Sequence, residues 1–94
     1  MIKLFFTERA EYEVMQAALF YEQRQQGLGE KFEKELKRSI DLILLNPLLG
    51  RQIQKGFRRV LLSRFPFSII YSFHQETLKI LAVYHSKRRP FLGH

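Results

Sequence analysis

The chain has 94 residues, 46% of them hydrophobic and 27% charged, and no cysteine. That composition excludes a disordered chain, a disulfide scaffold and a thiolate metal site, and the length holds a single domain with one small core. The net charge of +7 is uneven, because residues 1–46 carry seven Lys/Arg against eight Asp/Glu, whereas residues 47–94 carry nine Lys/Arg against Glu76 alone. A field of that kind draws in nucleic acid or an acidic protein segment.

In chain order, "IKLFF" (2–6) is a short apolar run that predicts a strand. Thr7 followed by Glu8 and Glu11 is a helix start, with a hydroxyl cap and acids in the first turn. Ala10, Val14, Ala17, Ala18 and Tyr21 then recur at helical spacing, which predicts a helix over about residues 8–25. Gly27 in "QQGLGE" suits the left-handed position past a helix end. A second helix carries Leu28, Phe32, Leu36, Ile40 and Ile43 on its buried stripe, with Glu30/Lys34 and Glu33/Lys37 as supporting pairs. Asn46-Pro47 stops it, since the residue before proline avoids the helical region. The short break between the helices implies an antiparallel helical hairpin.

"LLGRQIQKG" (48–56) reads as a loop. The period then changes to two: "FRRVLLS" (57–63), "FSIIYSF" (67–73) and "LKILAVYH" (78–85) read as strands, joined by "RFPF" and by the polar "HQET". The expected fold is α+β with the order βααβββ, a helical hairpin packed on a small, antiparallel-rich sheet of four strands that includes the N-terminal one. No apolar run approaches the ~20 residues of a membrane span. The start becomes charged too soon for a signal peptide, so a cytoplasmic protein is expected.

The densest chemistry is the ending "YHSKRRPFLGH". Tyr84 and His85 adjoin on a strand and face opposite sides of the sheet. His85 is the side chain that titrates near neutrality, which suits a general acid or base as well as a structural hydrogen bond. Lys87, Arg88 and Arg89 follow it. In "FRRVLLSRFPF", Arg58 and Arg59 also point to opposite faces. The one on the helix side needs a partner, for which the first helix offers Glu11, Glu13 and Glu22; the other, with Arg64, suits phosphates. Tyr71 shares a face with Phe67, Ile69 and Phe73 and belongs to the core. His74, His85 and His94 lack ligand spacing, so no metal is expected, and no glycine-rich phosphate loop follows a strand.

"GLGEKFEKEL" (27–36) with "NP" (46–47), "FRRVLLSRFPFSIIY" (57–71) and "ILAVYHSKRRP" (80–90) together resemble the RelE/ParE superfamily of toxins from type II toxin–antitoxin systems, closest to the ParE-like branch. The resemblance covers nearly the whole chain. It implies a cofactor-free growth-inhibiting toxin of the plasmid-stabilising kind, neutralised in a hetero-oligomer by a cognate antitoxin whose acidic or amphipathic segment wraps it. RelE-like members cut mRNA on the ribosome; ParE-like members are associated with DNA gyrase. A nuclease of the first kind would use His85 for proton transfer with Arg59 and Arg88 on the charged transition state. No acid stands in position as proton acceptor, so the gyrase-directed branch, a binding protein without catalysis, is favoured. Arg58, Arg64, Lys87, Arg89 and Phe91 would then meet the target or the antitoxin along one basic groove. A basic nucleic-acid-binding domain without toxicity is the third reading.

Overall fold

A computed structural model of the chain describes residues 1–87. Its elements are β1 (Lys3–Phe6), α1 (Glu8–Arg24), α2 (Leu28–Leu45), β2 (Arg51–Gln54), β3 (Phe57–Leu61), β4 (Phe67–His74) and β5 (Thr77–His85). The strands form one sheet in the order β1-β5-β4-β3-β2. β1 runs parallel to β5, and the other neighbours are antiparallel.

The expected helical hairpin and β3-β4-β5 meander are present, and β1 joins the same sheet as expected. The sheet has five strands, not four: the segment read as a loop contains β2, which turns into β3 through Lys55 and a left-handed Gly56 at φ 86°. A strand with Ile53 as its one apolar residue offers almost no period-two signal. The β4–β5 connection is tighter than "HQET" suggested, because Gln75 and Glu76 alone make the turn, both at positive φ (49° and 62°). Positive φ at both central residues matches the right-handed twist of the flanking strands.

Thr7 caps α1 as its sequence predicts, its Oγ1 accepting the Ala10 N–H at 3.1 Å. The same hydroxyl donates to the Leu81 carbonyl at 3.0 Å, tying the helix start to β5. β1 stops opposite Ile80. Beyond that point α1 takes over the edge of β5, where Glu13 Oε1 accepts the Val83 N–H at 2.8 Å. α2 begins without a side-chain cap of its own; the Glu22 carboxylate of α1 instead accepts the N–H groups of Gly27 (2.9 Å) and Gly29 (3.0 Å). An anion at a helix N-terminus is the favourable sign.

The helices cover one face of the sheet. Ala10 and Ala17 of α1, with Phe32, Leu36, Ile40 and Ile43 of α2, pack against Phe67, Ile69, Tyr71, Leu78, Ile80 and Val83. The rings of Tyr21, Phe32, Phe65 and Phe67 meet at centroid distances from 4.8 to 6.1 Å, mostly edge to face. A smaller cluster of Ile70, Ala82 and Tyr84, backed by Ile53 and Leu81, lies on the far face.

Candidate functional site

Strand alternation sorts the candidate residues onto the two faces. Arg58 stands opposite Tyr71 and therefore faces the helix side; Arg59 stands opposite Ile70 and faces away. On β5, His85 pairs with Phe67 and Tyr84 with Ser68, so His85 is on the helix side and Tyr84 on the far face. Both expected divisions hold. They also separate Arg59 from His85, which lie on opposite faces of one sheet.

Arg58 does not pair with the acids of α1. Its Nη1 donates to the Gly50 carbonyl at 2.7 Å and more weakly to that of Leu48 at 3.4 Å. Glu22 is engaged at the start of α2 and Glu13 at Val83 and Arg9, which is why neither reaches the strand. The segment after α2 is also held by Tyr71, whose hydroxyl donates to the Pro47 carbonyl and accepts the Gly50 N–H, each at 2.8 Å. Burial pushes the Tyr71 phenol above its ordinary value, with the Gly50 N–H and the Arg58 charge pulling the other way. Tyr71 is core, as its alternation predicted, and also the anchor of a loop, which alternation could not show.

His85 is half-buried and lines a cleft of about 440 Å³ with Tyr12, Glu13, Gln16, Phe20 and Tyr21 of α1. Its ring meets Phe67 edge-on at 5.4 Å. Nδ1 accepts the Lys87 N–H at 3.1 Å, which leaves Nε2 as the proton-bearing nitrogen of the neutral ring. Arg59 sits across from Arg51 of β2, beside Leu49 and Leu61.

The turn between β3 and β4 presents Arg64 on a third surface. Glu35, buried on α2, accepts the Ser63 hydroxyl at 2.9 Å and the Arg64 N–H at 2.7 Å. Burial alone would raise the Glu35 pKa. The Arg64 N–H, the Ser63 hydroxyl and N–H and the Arg64 guanidinium outweigh it and hold the carboxyl below its ordinary 4.5. Arg64 thereby joins Lys31, Lys34 and Arg38 of α2 around one cleft. Sequence reading gives Lys34 only as the partner of Glu30 and passes over Lys31 and Arg38. The i, i+3, i+7 spacing of the three on a single face is the available signal.

The described cations are thus divided rather than gathered into one furrow: Arg51 and Arg59 on the far face, Arg58 turned into the loop after α2, Arg64 with the cations of α2. Lys87 is exposed past the end of β5. Arg88, Arg89 and Phe91 lie outside the described residues. Among the described residues no group of His, Asp and Glu is placed to hold a metal ion, and no helix is long and apolar enough to cross a membrane.

Residues 4–90 match the family model of the ParE toxin of the type II toxin–antitoxin system parDE. The chain belongs to that family and is a ParE-like toxin component of the RelE/ParE superfamily. Among solved structures it is similar to the chromosomal ParDE system of P. aeruginosa (22% identity, TM-score 0.70, covering 93% of this chain and 98% of that one). It is also similar to the isolated E. coli RelE toxin (17% identity, TM-score 0.72, covering 94% and 87%) and to a chain of the intact E. coli RelBE toxin–antitoxin complex (17%, 0.71, 94% and 100%). At these identities the likeness is one of fold. No curated protein sequence matches the chain significantly.

Proposed function

We propose that the chain arrests growth by binding, with DNA gyrase as its target, and that a cognate antitoxin neutralises it by occupying its basic surfaces. The observation that carries the first part is the separation of Arg59 and His85 on opposite faces of the sheet. Metal-independent RNA cleavage needs a proton acceptor and clustered cations acting on one phosphate. A histidine facing α1 and an arginine facing away from it cannot share a phosphate without rearrangement of the strands. Membership in the ParE family supports the gyrase-directed branch, and the RelBE and ParDE systems among the similar structures support an antitoxin partner.

The test is inducible expression with and without the neighbouring gene, reading DNA damage and translation separately. Gyrase-trapped breaks and an SOS response that precede any fall in translation are expected, with rescue by the neighbouring gene and full toxicity retained by His85→Ala. Arrested translation with codon-phased mRNA cuts and unbroken DNA would overturn the reading in favour of a RelE-type nuclease.

A further inference from the structure

Four cations crowd one flank of α2. Lys31, Lys34 and Arg38 project from the helix and Arg64 from the β3–β4 turn, and all four are exposed. Half-buried Leu28 and Phe65 lie between them as the apolar floor of a cleft of about 490 Å³. The acid inside the cleft, Glu35, is already engaged by Ser63 and the Arg64 N–H. Lys34 meets Glu30 at 3.7 Å, a solvent-exposed pair of little strength. Among the described residues no acid lies within ion-pair distance of Lys31, Arg38 or Arg64, and the Arg64 guanidinium acts on Glu35 only from farther off. Like charges three and four positions apart destabilise a helix. Glu35 is the one carboxylate lining the cleft among the four cations, so the cleft keeps an excess of positive charge that a negative partner would offset.

We propose that this cleft docks an acidic peptide segment with one large apolar side chain seated between its carboxylates. The floor favours a peptide over a nucleic-acid backbone. A concave apolar floor with a charged rim is the shape an anchoring side chain fills, and a sugar–phosphate chain has no group for it. Phe65 is also no platform for a base, because its ring is locked against Tyr21 at 4.8 Å and Phe32 at 5.4 Å. Lys31 and Arg38 are separated by about 10 Å along the helix axis, the length of about three extended residues, so a short segment spans the rim. The inference deepens the reading of an antitoxin-held toxin, naming a surface and the chemistry of what covers it.

The probe is a short labelled peptide with one leucine flanked by glutamates and aspartates, titrated by anisotropy against the full chain. Saturable binding that weakens with salt is expected. The double variant Arg38→Glu/Arg64→Glu, with circular dichroism and melting as folding controls, should weaken it about tenfold or more, and so should leucine-to-serine in the peptide. If the double variant fails to fold, Lys31→Gln/Arg38→Gln carries the same comparison. Unchanged binding in the variants overturns the proposal, as does equal binding of the serine peptide. A single-stranded oligonucleotide that binds more tightly than the peptide and is lost in the same variant overturns it too, marking a phosphate surface. Growth arrest is scored apart: peptide binding through the cleft by a chain that arrests nothing upholds the cleft and sinks the toxin reading.

Discussion

Two irregular segments of this molecule are fastened in different ways. The Pro47–Gly50 segment is held by a neutral group, the Tyr71 hydroxyl, which reaches from the middle of the sheet and acts as both donor and acceptor. The Ser63–Arg64 turn is held by a charged one, the Glu35 carboxylate, which reaches from α2 and only accepts. Each fastening pairs backbone groups that lie partly shielded from water: the Gly50 N–H and the Pro47 carbonyl in one, the Arg64 N–H in the other. The neutral clasp depends on fit; the charged one also depends on pH.

The comparison is broken most severely at Gly50. A Cβ there would lie 2.7 Å from the Tyr71 hydroxyl and 3.0 Å from the Arg59 carbonyl oxygen, with backbone on one side and a buried ring on the other. Gly50→Ala should destabilise by about 3 kcal/mol or more, through overpacking and a lost hydrogen bond together, read as the shift in urea midpoint at unchanged slope. Tyr71→Phe keeps the ring and removes the clasp, leaving the Gly50 N–H and the Pro47 carbonyl short of a partner. A loss of about 2–3 kcal/mol is expected, with faster hydrogen exchange at Gly50.

Glu35→Gln tests the charged clasp. At neutral pH it should cost about 1–2 kcal/mol. The folded carboxyl sits below its unfolded value of 4.5, so its contribution is complete above that pH and is lost as pH falls through the folded pKa. The gap between parent and variant should narrow over that acid range in denaturant melts, while the cost of Tyr71→Phe stays flat. A parallel decline in both would remove the distinction. Arg58→Met is expected to be the smallest effect, about 1 kcal/mol, since it removes one good hydrogen bond to Gly50 from a half-exposed side chain.

Much of this was legible before any coordinates. Helical spacing identified the buried stripe of α2 from Phe32 to Ile43, and Thr7 announced the start of α1. Alternation divided Arg58 from Arg59 and Tyr84 from His85. β2 was not legible, because Arg51, Gln52 and Gln54 give no apolar face and the strand owes its place to pairing with β3. The roles of Glu13, Glu22 and Glu35 were hidden for a different reason. Each accepts backbone N–H groups from a segment remote or separate from its own helix, and side-chain spacing on one helix does not reveal which distant amide needs an acceptor. The basic cleft does not show in the charge asymmetry between the two halves of the chain. Three of its four cations belong to the half that is almost neutral.

The parallel pairing of β1 with β5 sets an order of events during synthesis. Lys3 is partnered by Thr77, and the Thr7 hydroxyl reaches Leu81 across 74 positions. β1 must wait for β5, made more than 70 residues later, and closing so long a loop carries an entropic cost that the shorter hairpins avoid. Until β5 is available β1 has no neighbour to pair with, and the sheet lacks that border.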